Sequence, residues 1–193
     1  RPLWKLQEMS PEYRNAVHYL KKRNIGIHDI LKYRIGYCRK GPYKGKIIIP
    51  SYDSEGQLNY FVSRAFYKND PYKHKNPKIS KDVIGFDMLI NWNEPIILCE
   101  GAFDAITIKR NAIPLFGKMI NPKLRIKIIE EGVKEIYVCL DQDAIDNAKR
   151  IAHTFMREGI NVHLVKLNEK DPNELGYKNI TEKIQDTYQF SFE

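Results

Sequence analysis

Pro95-Ile96-Ile97-Leu98-Cys99-Glu100-Gly101 and Glu135-Ile136-Tyr137-Val138-Cys139-Leu140-Asp141-Gln142-Asp143 carry the reading on which the fold depends. Each is a short apolar run that stops on an acid, the pattern of a buried strand leaving a sheet. Residues 112–116 and 161–166 are runs of the same character. Helical spacing fills the gaps, near 103–110, 123–131 and 143–158; in the last of these Ala144, Ala148, Ile151, Ala152 and Phe155 share a face and Gly159 ends it. Strand alternating with helix predicts a parallel sheet with crossover helices. Parallel strands set their C-terminal ends along one edge, where open α/β folds bind ligands, so Glu100, Asp141 and Asp143 are predicted to converge there.

Asp141 and Asp143 are two residues apart, so in an extended segment they project to one side and can share a cation. Asp104 follows Glu100 by about one helical turn, and Asp171 follows the last strand. A cluster of hard oxygen donors suits Mg²⁺ or Mn²⁺, which keep waters and take substrate phosphates as further ligands. Helix capping accounts for any one of Asp104, Asp143 or Asp171. It does not account for three strand ends that each terminate in an acid.

These stretches resemble a family. Glu100-Gly101-Ala102-Phe103-Asp104, Asp141-Gln142-Asp143-Ala144 and Lys170-Asp171-Pro172-Asn173-Glu174-Leu175 resemble the three acidic motifs of the Toprim fold. Upstream, Tyr19-Leu20-Lys21-Lys22-Arg23-Asn24-Ile25-Gly26, Tyr33-Arg34-Ile35-Gly36-Tyr37 and Lys46-Ile47-Ile48-Ile49-Pro50, with Gly56 and Arg64, are similar to the start of the RNA polymerase domain of bacterial and phage DNA primases of the bacterial type. The resemblance runs from about residue 15 to residue 176. It implies an α/β fold, a Toprim Rossmann-like parallel sheet with flanking helices over 91–176, preceded by a smaller mixed α/β, basic N-terminal subdomain over 1–90, with 177–193 a tail or linker.

The implied activity is synthesis of short RNA primers from ribonucleoside triphosphates on a single-stranded DNA template. Glu100, Asp141 and Asp143 would be the catalytic carboxylates holding Mg²⁺ or Mn²⁺, with Asp104 and Asp171 shaping the metal site from its edge. Arg64 and Lys73 match basic residues that contact nucleotide or template, and Lys46 stands where an arginine is common. The implied partners are a replicative helicase and a zinc-binding template-recognition module. Two departures stand out: Ala144-Ile145 where the family has Ala-Gly, and Asn173 where it often has a second aspartate. Two rival readings start from the same acids, a Toprim nuclease and a non-catalytic nucleic-acid-binding module.

Charge divides along the chain. Residues 1–81 hold 18 Lys and Arg against 6 Asp and Glu, whereas residues 82–193 hold 14 against 18. Residues 64–81 mix Arg64, Lys68, Lys73, Lys75, Lys78 and Lys81 with Tyr67, Tyr72 and His74, a combination of phosphate-neutralising cations and stacking surfaces that suits single-stranded nucleic acid. They carry no period and are read as a loop. Before them, Ser10-Pro11 opens a helix that stops at Asn24, a second helix covers 27–33, and strands at 46–51 and 58–66 flank an Asp53-Ser54-Glu55-Gly56 turn as a hairpin.

The apolar runs are too short for a membrane span, and the N-terminus lacks a secretory pattern, so the expectation is a cytoplasmic protein, in the host's cytoplasm if it is phage-encoded. A start at Arg1 rather than Met reads as a fragment of a longer polypeptide. Cys38, Cys99 and Cys139 form no Cys-x-x-Cys pair and read as small buried hydrophobes. The five histidines fall in no metal spacing, and no P-loop occurs. Trp4, Tyr33 and Tyr37 read as core or interface aromatics.

Overall fold

Ser10 accepts a hydrogen bond from the Tyr13 N–H at 3.2 Å and Pro11 follows it, so the first helix, α1 (Pro11–Lys22), starts where the sequence predicts. It buries Ala16 and Leu20 and ends at Lys22, with Arg23 as its C-cap and Asn24 beyond it in a left-handed conformation, φ 58°. α2 (Ile27–Lys32) opens on Gly26, whose N–H donates to the Asp29 carboxylate at 2.9 Å. Three strands follow, β1 (Gly36–Tyr37), β2 (Lys46–Tyr52) and β3 (Leu58–Ala65), antiparallel in the order β1-β2-β3. Gly56, at φ 79°, makes the predicted turn. Ile47, Ile49 and Tyr60 from the hairpin are buried, as are Tyr33 and Tyr37.

The computed structural model describes residues 1–3, 10–167 and 172–187, so Trp4 and Asp171 lie outside the described residues. The chain falls into two units: Arg1–Tyr52 with Gln57–Ile79, and Asp53–Gly56 with the stretch from Ser80 onward.

In the second unit the acid-terminated runs are strands. The order along the chain is β4 (Ile96–Cys99), α3 (Ala102–Ile108), β5 (Ala112–Pro114), α4 (Pro122–Glu130), β6 (Glu135–Cys139), α5 (Ile145–Met156), β7 (Asn161–Leu164) and α6 (Pro172–Gln185). The sheet is parallel throughout, in the order β5-β4-β6-β7. Ile96 and Leu98 of β4 and Ile136 and Val138 of β6 pack with Leu124 and Ile128 of α4 and Ile151 and Phe155 of α5. Ile97 and Cys99 alternate to the other face and are buried too, which is why β4 reads as an unbroken apolar run. α6 packs against α3 and is broken at Gly176, φ 76°.

One element differs from its predicted bounds in a way that matters. The helix expected from 143 begins at Ile145, because the chain first makes a tight 3-10 turn, Gln142–Ala144, closed by the Ala144 N–H on the Asp141 carbonyl at 2.9 Å. Ile145 sits in ordinary helical conformation, φ −57°, so nothing at this position requires the glycine of the family pattern.

Candidate metal centre

Chain order and sheet order together locate the site. The chain leaves β4 for β5 on one side and returns to place β6 on the other, so the connections diverge between β4 and β6. Ligands of open parallel sheets bind in the crevice outside the strand ends at such a point. Cys99 is paired with Cys139 in the register, so Glu100 and the residues following β6 emerge side by side. Glu100, Asp141 and Asp143 each offer a carboxylate oxygen within 4.8 Å of the others.

Glu100 is fixed from the opposite strand: its Oε1 accepts the Asp141 backbone N–H at 3.1 Å. Burial and then the neighbouring Asp141 carboxylate push the Glu100 carboxyl above its ordinary range. A carboxylate crowded in this way sits in a negative field that a divalent cation relieves. Three hard oxygen donors with room on the solvent side, where Asp143 is exposed, fit Mg²⁺ or Mn²⁺. Cys99 and Cys139 stand directly beneath, both buried, with burial holding both thiols well above the usual range, so they act as packing rather than soft ligands.

The other predicted residues have different fates. Asp104 is buried, lies outside the group of three, and accepts the Gly101 N–H at 2.9 Å at the start of α3. Gly26 and Asp29 make the same arrangement at the start of α2, in the other unit, so a Gly-x-x-Asp cap is a recurrent local device of this chain. Asn173 is buried and its Nδ2 donates to Thr107 Oγ1 at 2.8 Å, fastening α6 to α3.

Lys46 is buried, and its ammonium donates to Asp70 at 2.6 Å and to the Tyr72 carbonyl at 2.8 Å. These bonds tie β2 to the loop that follows β3. That loop also lies along β3: Ala65 N–H donates to the Lys73 carbonyl, Ser63 Oγ to the Lys75 carbonyl, and Ser63 N–H to Asn76 Oδ1. Lys73, Lys75 and Lys78 are thereby left exposed, and Tyr72 is 68% exposed beside them. Arg64 is half-buried, bonded to the Tyr19 hydroxyl through Nε and to His74 through Nη1. Burial, then Arg64, Arg23, Lys46 and Lys73, hold the His74 imidazole below its usual range, which registers a concentrated positive field on this unit.

Lys118 is the residue that sequence reasoning missed. It lies between β5 and α4, and its ammonium donates to Asp143 Oδ2 at 2.5 Å. No motif marks it; its only signal was a lone cation following a strand that ends at the same edge.

The Toprim domain family matches residues 95–179. The fold is that of bacterial primase cores. A DnaG primase catalytic domain bound to single-stranded DNA superposes with a TM-score of 0.79 at 16% identity, over 97% of this chain and 78% of the other. The Escherichia coli primase catalytic core gives 0.76 at 16%, covering 97% and 77%. The Aquifex aeolicus primase, with zinc-binding and RNA polymerase domains, gives 0.77 at 18%, covering 92% of this chain and 57% of that one. Sheet, acids and these likenesses define a Toprim-bearing chain with the primase RNA polymerase fold. Among curated proteins, the uncharacterized protein MG010 homolog of Mycoplasma pneumoniae is 30% identical over 179 residues, 85% of this chain and 82% of that protein. Protein MG010 of Mycoplasma genitalium is 28% identical over 85% and 80%. The chain belongs to the family of these MG010 proteins, and its residues 95–179 match the Toprim domain.

Proposed function

We propose that the chain is a primase-type nucleotidyltransferase, which uses Mg²⁺ or Mn²⁺ to join ribonucleoside triphosphates into short RNA primers on single-stranded DNA. The observation that carries this reading is the convergence of Glu100, Asp141 and Asp143 at the divergence point of a parallel Toprim sheet. Divalent cations held there would polarise the primer 3′ oxygen and neutralise the leaving pyrophosphate. Glu100, oriented by the Asp141 N–H, and Asp141 form the inner part of the ligand set, and the exposed Asp143 the outer part. Lys73, Lys75 and Lys78 would neutralise template phosphates, Tyr72 would offer a base a stacking face, and Arg64 would contribute through the positive field it shares with its neighbours.

The proposed division of labour gives template binding to residues 1–90, metal chemistry to 91–176 and no catalytic part to 177–193. Asp171 remains a proposed edge ligand, whereas Asp104 and Lys46 are proposed to act through structure. Among the described residues no helix is long and apolar enough to cross a membrane. The proposal extends to this chain a cytoplasmic setting, cellular or phage, with a replicative helicase and a zinc-binding template-recognition module as partners.

A single gel tests it: single-stranded DNA, a short oligoribonucleotide, labelled ribonucleotides and Mg²⁺ or Mn²⁺. Template-dependent extension that disappears in Asp143→Asn is the expected result. Metal-dependent shortening of the DNA would instead assign a Toprim nuclease, and retention of DNA without either product a binding module.

A further inference from the structure

Lys118 is delivered to the acids by backbone pairing rather than by chance surface proximity. Beyond β5 the chain keeps its hold on β4: Leu115 N–H donates to the Cys99 carbonyl at 2.8 Å and Gly117 N–H to the Glu100 carbonyl at 3.3 Å. The residue after Gly117 must therefore lie beside Glu100. From the other side Asn147 of α5 donates through Nδ2 to the Lys118 carbonyl at 3.1 Å. The backbone is held between β4 and α5 while the side chain reaches Asp143 Oδ2.

The resulting ion pair is weak by construction. Lys118 is 40% exposed and Asp143 73% exposed, so solvent and salt screen their attraction. A monovalent ammonium in this place balances the outermost carboxylate only until a stronger cation arrives. A divalent ion drawn to Asp143 competes with the ammonium for the charge of that carboxylate. Once displaced, the ammonium stays tethered at the edge of the cluster; Glu100 and Asp141, which also attract it, would be neutralised by the same metal, and a phosphate ligated to that metal would be the anion left for it.

We infer that Lys118 is a partner-exchanging cation, bound to Asp143 in the metal-free protein and to a phosphate oxygen of the metal-bound substrate in the loaded one. This rests on the metal reading above and assigns Lys118 as a positioning residue for the phosphate. It couples metal entry to phosphate arrival, because a phosphate that accepts the displaced ammonium offsets the cost of displacing it.

The test uses the full chain and two probes, Mn²⁺ alone and inorganic pyrophosphate added to Mn²⁺-saturated protein, both by calorimetry. Lys118→Met should bind Mn²⁺ roughly threefold to tenfold more tightly than wild type, since a competing cation is gone. The same variant, saturated with Mn²⁺, should bind pyrophosphate about fivefold or more weakly. Lys118→Arg should restore both values toward wild type, and in an Asp143→Asn background Lys118→Met should no longer change Mn²⁺ affinity. Circular dichroism of each variant shows that the fold is kept. An unchanged Mn²⁺ affinity in Lys118→Met, or an unchanged pyrophosphate affinity, overturns the exchange while leaving the metal centre standing. Failure of the folded wild type to bind Mn²⁺ removes the metal centre itself and the exchange with it.

Discussion

At Lys46 a charge that looks poised for phosphate is committed inside the fold. Its side chain is 4% exposed and holds Asp70, 17% exposed, together with the Tyr72 carbonyl. The hydrogen bond from Lys46 and then the Tyr72 N–H hold the Asp70 carboxyl below its ordinary value. A folded-state pKa below the unfolded one means that the pair's stabilisation is present above the unfolded value, near pH 4, and lost as pH falls through the folded value. Thermal unfolding should therefore show wild type losing stability below about pH 4 by this route, with Lys46→Met less stable at neutral pH and less steeply acid-dependent. Equal melting temperatures of the two proteins at pH 7 would mean that the pair does not order the loop. Asp104 and Asp143 separate in the same manner. Asp104→Ala should cost about 1 kcal/mol as a lost cap and leave Mn²⁺ affinity nearly intact, whereas Asp143→Asn should leave the melting temperature alone and lower Mn²⁺ affinity at least tenfold by titration.

Elements explain why some of this was legible in the sequence and some was not. β4 and β6 announce themselves because strands buried on both faces need continuous apolar residues, so the acids that end them stand out in one dimension. The predicted helices and hairpin followed from caps and periods that act over three or four residues, such as Ser10 with Tyr13. Lys118 meets Asp143 only through the order in which β5, β4 and β6 are laid side by side, and Lys46 meets Asp70 only through the path of an aperiodic loop. Neither pairing has a local spacing that could reveal it. Gly85 belongs with these. A Cβ on it would lie 2.4 Å from the Pro114 carbonyl oxygen and 2.7 Å from Pro114 Cγ, so the segment entering the sheet unit touches the end of β5 directly. Pro114 is rigid and cannot give way as a flexible side chain would. Gly85→Ala should cost about 1 to 3 kcal/mol in denaturant unfolding, and because β5 feeds the Lys118 loop it should also weaken the Asp143 ion pair, read as tighter Mn²⁺ binding in the folded protein. Full stability in that variant would mean that the two segments separate at little cost.

For the molecule as a whole, the decisive quantity is the uneven division of charge, with 18 cations against 6 acids up to residue 81 and 14 against 18 beyond it. Acids concentrated at a metal centre repel a polyanion, so an enzyme acting on DNA through them must recover affinity elsewhere in the chain. Here the cations are both numerous and differently engaged. Lys46 is buried in an ion pair and Arg64 is half-buried against Tyr19 and His74, whereas Lys73, Lys75 and Lys78 stand exposed on a segment whose backbone is pinned to β3. Only the exposed set should release counterions when a strand binds. Single-stranded DNA affinity, measured against salt by fluorescence anisotropy, should fall linearly on logarithmic axes, and each of Lys73→Gln, Lys75→Gln and Lys78→Gln should reduce the slope by about 0.7. The triple variant should accordingly lose about 2 units of slope, while Lys46→Gln should change it little. A triple variant with the wild-type slope would mean that these lysines are merely solvated, and the template would have to be held by another part of the chain.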